Sequence, residues 1–232
     1  MTRPAHDVTL SVLQPRWIAR CVAGAVIAVA PMLGVSFAVP VATADECPDI
    51  EVVFARGTGA PPGTGWLGGA FVDLLRSKVG GRSVGVYPVN YPAGFDFSTS
   101  VVAGAADARA HVEQMSVRCP GTRLVLGGNS QGAGVIDLIT MAPAPIAGFT
   151  PNPIPDGIAD HIAAVVVFGN PLRDLAGGGP LDAHSPVYGS RTIDLCAAGD
   201  PFCSPGTDFP AHFAYIQNGM ADQAAAFAAQ RL

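Results

Sequence analysis

The chain has 232 residues, a formal charge of −5 at pH 7, 49% hydrophobic residues and only 13% charged ones. It has no basic patch of the kind that nucleic-acid binding needs, and its acidic balance disfavours attraction to anionic lipid headgroups. The sparse charge points to a neutral, apolar substrate.

The N-terminus reads as a secretory leader. Arg3, Arg16 and Arg20 supply the positive region, Cys21 to Val41 is apolar and uncharged, and Ala42-Thr43-Ala44 gives the small-x-small pattern that a signal peptidase needs. We expect cleavage after Ala44, leaving residues 45–232 as one domain large enough to bury a core. An uncleaved membrane anchor is the alternative. The run is long enough to span, but Pro31 and Pro40 interrupt it. No later segment reads as membrane-spanning, and the chain is expected to be a monomer.

Residues 45–232 carry 10 basic and 17 acidic side chains, a formal charge of −7 with His neutral. They hold four cysteines, Cys47, Cys119, Cys196 and Cys203. An even count in an exported chain suggests two disulfides, with three connectivities open. We favour Cys47–Cys119 with Cys196–Cys203. The second closes a small ring, and the first ties the mature N-terminus to the segment before the third strand. There is no C-x-x-C and no histidine at ligand spacing, so no metal or other cofactor is expected.

Strand-like and helix-like segments then alternate, which predicts a parallel sheet covered on both faces. Ile50–Ala55 is a short β-branched strand and Arg56-Gly57-Thr58-Gly59 a turn. Gly68–Val79 has a helical apolar face of Ala70, Phe71, Leu74 and Leu75. A strand over Ser83–Val89, an aromatic loop over Asn90–Phe97 and a helix over Thr99–Val117 follow. Arg123–Gly127 is a strand and Gln131–Met141 a helix. Ala142–Asp160 is rich in proline and reads as a loop or broken helix. Strands over Ile162–Phe168 and Arg191–Leu195 are separated by a connection containing Gly177-Gly178-Gly179. A helix from Phe213 to Arg231, helped by the alanine-rich run Ala224–Ala229, closes the chain. The expected fold class is α/β, a three-layer α/β/α sandwich on a five-stranded parallel sheet.

Gly128-Asn129-Ser130-Gln131-Gly132 lies between the third strand and its helix, at G-x-S-x-G spacing. A tight strand-to-helix turn needs small residues two before and two after the serine, and it leaves the hydroxyl exposed. The helix N-terminus behind it offers free N–H groups to a developing oxyanion. A structural turn whose serine merely caps the helix is the bland alternative.

A serine hydroxyl needs a base, and on such a fold the order is Ser…Asp/Glu…His. The histidine candidates are His161, His184 and His212. His161 sits at the N-terminal edge of a strand, opposite the edge where ligands bind. His184 reads as surface. His212 follows the last strand, where a loop can bring it over Ser130, and is preferred. Among Asp194, Asp200 and Asp208, Asp200 is preferred because it lies inside the Cys196–Cys203 ring, which would hold it rigidly. Its role would be to orient the imidazole and stabilise the imidazolium. The Gln131 N–H would supply one oxyanion donor. Thr58, in the turn after the first strand, would supply the second, and its hydroxyl a further bond.

Together with Cys47-Pro48-Asp49, Phe54-Ala55-Arg56-Gly57-Thr58, Gly85-Val86-Tyr87-Pro88-Val89-Asn90-Tyr91, Asp194-Leu195-Cys196 and Asp200-Pro201, these residues resemble the cutinase family, in particular the cutinase-like proteins of mycobacteria. The resemblance spans nearly all of residues 45–232. It implies a lidless α/β-hydrolase-type fold with an open site, the same two disulfides, and esterase activity on cutin-like or lipid esters. Ser130, Asp200 and His212 match the family triad, and Thr58 and Gln131 its oxyanion positions. One departure stands out. The family usually has Tyr before the nucleophile, where this chain has Asn129, and that position helps wall the acyl groove. The proline-rich stretch Ala142–Pro155 is also longer than expected for fungal cutinases.

The expected function is a secreted serine esterase acting on short to medium acyl esters, with Phe95, Phe209 and Phe213 in an apolar rim for acyl chains. A lipase, phospholipase or thioesterase would share the machinery. A carbohydrate esterase would need a sugar-lined cleft, for which Trp66 is the sole tryptophan platform after residue 44. A non-catalytic binding protein that keeps the fold is the rival of a different class.

Overall fold

The structure, a computed structural model, describes residues 47–175 and 179–232. The expected leader over residues 1–44 and most of the Gly177–Gly179 stretch lie outside the described residues. Five parallel strands form one sheet: β1 (Ile50–Ala55), β2 (Val84–Pro88), β3 (Arg123–Asn129), β4 (Ile162–Phe168) and β5 (Thr192–Leu195). Their spatial order is β2-β1-β3-β4-β5. Ile50 pairs with Val84 on one side and with Arg123 on the other. The order reverses between β1 and β3, so the crevice beyond the carboxyl ends of those two strands is where a ligand is expected.

Residue alternation assigns each face of the sheet. Val53 and Ala55 of β1 point into a core shared with α2 (Phe97–Arg118) and α3 (Gln131–Thr140). Val52 and Phe54 point to the other face, beneath α1 (Gly65–Lys78) and α6 (Met220–Ala229). On that face Phe54, Phe71, Phe168 and Tyr215 form a continuous aromatic file with ring centroids about 6 Å apart. Both faces being covered, β4 is buried along its whole length, which is why it reads as an unbroken apolar run.

Two short helices, α4 (Leu172–Leu175) and α5 (Leu181–His184), lie between β4 and β5. The proline-rich stretch ends in a 3-10 turn over Asp156–His161. Among the described residues, no helix is long and apolar enough to cross a membrane. Disulfides join Cys47 to Cys119 and Cys196 to Cys203, with Cα atoms 5.5 and 5.8 Å apart.

Several element boundaries differ from the sequence reading. The first helix begins at Gly65, three residues early, which brings Trp66 into it. The second begins at Phe97, where the Asp96 carboxylate accepts the Thr99 N–H. The last helix does not run from Phe213. Residues Phe209–Phe213 form a 3-10 turn, and α6 starts only at Met220 after a left-handed Gly219. The intervening chain is drawn inward because Tyr215 is fully buried.

Candidate active site

Ser130 has φ +56° and ψ −119°, a strained backbone for a non-glycine residue. Its N–H is held by the Phe168 carbonyl at 2.8 Å. The flanking glycines are sterically required. A Cβ on Gly128 would sit 2.2 Å from the Gly132 carbonyl oxygen, and one on Gly132 would sit 2.0 Å from that of Ala55. This close packing of α3 on β1 and β3 leaves Ser130 at the crevice where the strand order reverses.

The loop after β5 carries the other two candidates. His212 Nδ1 lies 2.8 Å from Asp200 Oδ2, with His212 5% exposed and Asp200 fully buried. The same Oδ2 accepts the Tyr215 hydroxyl at 2.5 Å, and Oδ1 accepts the Phe202 N–H at 2.9 Å. Three donors therefore fix the carboxylate inside the disulfide ring, and the Nδ1 contact leaves His212 Nε2 free for other chemistry. Tyr215 also accepts the Ala197 N–H. Burial, with the Asp200 bond and charge, pushes its phenol well above the ordinary tyrosine value, so it remains a donor. Gly169, at φ +57°, makes room for the imidazole. A Cβ there would lie 2.7 Å from His212 Cε1.

Ser130, His212, Gln131 and Thr58 line one cavity of about 530 Å³. Gln131 opens α3, where the first N–H groups have no intrahelical acceptor. Its side chain is engaged elsewhere, accepting from Ser100 and donating to the Gly94 carbonyl. The cavity mouth is aromatic. Phe95 (82% exposed), Phe97, Phe209 and Phe213 stand around it with Trp66 and Phe202. Phe202 packs 4.3 Å from the His212 ring and 5.5 Å from Phe209. Val101, Phe149 and Leu172 form further apolar wall.

The other candidates lie apart. His161 ends the 3-10 turn before β4. His184 is not a free surface side chain as expected: its Nε2 is buried and, among the described residues, has no hydrogen-bond partner, in a small cavity it shares with Asp137. Asp194 is bound by Arg173, Asn170 and the Leu181 N–H. Asp208 is exposed. Among the described residues, no cluster of three His, Cys, Asp or Glu side chains is arranged to hold a metal ion. Sequence reasoning missed Tyr215, Gly169 and Phe202. Tyr215 and Gly169 act through space on residues distant in the chain, and no motif marks them.

The family model for cutinase matches residues 46–232. The chain belongs to the cutinase family. Among curated cutinase relatives, a Mycobacterium tuberculosis protein named Carboxylesterase Culp1 is 51% identical over 195 residues, covering 82% of this chain and 85% of its own. Phospholipase Culp4 of the same species is 53% identical, covering 80% of each chain. Among solved structures, the catalytic core of acetyl xylan esterase from Trichoderma reesei superposes with a TM-score of 0.71 at 28% identity, covering 81% of this chain and all of that one. A Trichoderma reesei cutinase bound to a phosphonate inhibitor superposes with a TM-score of 0.62 at 31% identity, covering 81% and 78%. Asn129 is 8% exposed, lines the cavity and, among the described residues, has no partner for its Oδ1.

Proposed function

We propose that this protein is an exported, monomeric serine esterase whose residues 45–232 form the mature enzyme after removal of a leader at 1–44. It hydrolyses apolar carboxylic esters of short to medium acyl length through an acyl-enzyme. Ser130 Oγ attacks the ester carbonyl carbon as its proton passes to His212 Nε2. The Thr58 and Gln131 N–H groups hold the resulting oxyanion. The C–O bond to the alcohol then breaks, and His212 returns the proton to the leaving alkoxide. Water, deprotonated by His212, releases the acid by the reverse path. The observation that carries this reading is the strained Ser130 facing the same cavity as the Asp200-bound His212.

At the mouth Phe95, Phe97, Phe209 and Phe213 outnumber Trp66, the one tryptophan on which a sugar could stack, and this apolar majority supports an acyl chain over an acetylated sugar. Each acyl methylene buried there contributes about 0.8 kcal/mol, or roughly fourfold in kcat/KM, until the groove is full. Two disulfides are consistent with an extracellular setting. The test is hydrolysis of p-nitrophenyl esters from acetate to palmitate beside Ser130→Ala. A maximum at short or middle length that vanishes in the variant is expected. A maximum at palmitate would move the reading to a lipase, and no rate above the variant at any length would overturn it.

A further inference from the structure

Arg56 is 5% exposed, yet among the described residues no carboxylate lies within ion-pairing distance of it. A buried guanidinium without a counter-charge is expensive unless its N–H groups are satisfied. Here they are satisfied by main-chain carbonyls on two loops. Nε donates to Ala60 at 2.8 Å, closing the turn that contains Thr58. Nη2 donates to Tyr91 at 2.7 Å and to Pro92 at 3.3 Å, and Nη1 to Val89 at 3.4 Å. The cation lies 5.0 Å over the Tyr91 ring, and the Tyr91 hydroxyl donates back to the Arg56 carbonyl. The Gly59 N–H adds a bond to Ala93 at 2.8 Å. From the other side Gly57 abuts the nucleophile strand: a Cβ on it would lie 3.1 Å from Asn129 Nδ2 and 3.6 Å from Ser130 Cβ.

We infer that Arg56 is a positioning residue that locks the turn carrying Thr58 onto the loop after β2, so that the Thr58 N–H stays aimed at the oxyanion. The inference rests on Thr58 being an oxyanion donor. Arg56 touches no reacting atom. It acts through the planar spread of its donors, which a lysine ammonium cannot reproduce. Misplacing a catalytic group by about 1 Å can cost on the order of 100-fold in rate, and deleting an oxyanion donor about 100- to 1000-fold.

The test compares the oxidised full chain with Arg56→Lys, Arg56→Met and Ser130→Ala. The readouts are kcat and KM on p-nitrophenyl butyrate, the rate of trapping by a p-nitrophenyl alkylphosphonate, and inhibition by the matching ether, which cannot form a tetrahedral anion. Both Arg56 variants should lose roughly 10- to 100-fold in kcat and in trapping, with KM and ether binding within about twofold of the parent. Arg56→Lys should be little better than Arg56→Met, because charge alone does not hold the turn. An Arg56→Lys enzyme with parental kcat, or ether binding lost in step with kcat, overturns the inference. If neither Arg56 variant folds, Arg56→Gln decides, because its single amide can reach one loop but not bridge both: a lower kcat at unchanged KM supports the lock, and an unchanged kcat overturns it. Hydrolysis surviving in Ser130→Ala would instead overturn the active-site reading, whereas an inactive Ser130→Ala beside a fully active Arg56→Lys removes only the role of Arg56.

Discussion

At the residue scale, the Asp200–His212 pair depends on groups that leave no mark in a motif. The triad candidates were legible because G-x-S-x-G marks a candidate nucleophile, and chain order with strand position then points to one loop for the candidate base and acid. Tyr215 and Gly169 were not legible, because a phenol and a missing side chain acquire their meaning only where the loops after β4 and β5 meet. Asp200→Asn keeps the shape but presents the wrong group to Nδ1. We expect kcat to fall by about 10³- to 10⁴-fold with little change in KM. Gly169→Ala should lower kcat strongly, because its Cβ would sit 2.7 Å from the imidazole. Steady-state kinetics on one ester checks both, and a Gly169→Ala enzyme with parental kcat would show that His212 tolerates displacement.

At the element scale, the sequence marks β4 to the residue, Ile162–Phe168, because a strand buried on both faces is continuously apolar. The alanine-rich run predicts a last helix longer than the observed Met220–Ala229, because helix-favouring alanines say nothing about where the helix must begin. Tyr215 and Gly219 decide that. On helix α3, Asp137 lies buried and, among the described residues, its Oδ1 has no partner. Burial, aided by the charge of Asp194, pushes its carboxyl well above the usual value. Asn170, Arg173 and His184 share its small cavity. The folded state therefore holds this proton more tightly than the unfolded chain does. Stability from this group is full below the unfolded pKa, near 4, and is lost as pH rises through the folded value. Asp137→Asn should melt above the parent at pH 7 and converge with it near pH 4, as thermal melts over that range would show. A parent-like melting point at pH 7 would mean that the carboxyl is paired after all.

At the scale of the whole molecule, alternating strands and helices made the three-layer architecture legible, and the strand order β2-β1-β3-β4-β5 accounts for the place of the site. Loops after β1, β3 and β5 converge there, bringing Thr58, Ser130 and His212 to one cavity. The aromatic mouth was legible only in part. Phe95, Phe209 and Phe213 were expected there, whereas Phe202, inside the disulfide ring, and Phe149, in the proline-rich stretch, carry no sequence signal that marks them as lining. Phe95→Asp with Phe209→Asp should flatten the gain in kcat/KM per methylene, leaving acetate hydrolysis within about threefold of the parent. An unchanged chain-length profile would remove the rim from substrate binding. Whether Ser130 is the nucleophile is tested most directly by covalent trapping with a p-nitrophenyl alkylphosphonate, read by peptide mass spectrometry. One adduct per chain is expected, on Ser130, with loss of esterase activity in proportion and much slower trapping in His212→Ala. An adduct on another residue, or full hydrolysis by a chain already modified at Ser130, would contradict that role.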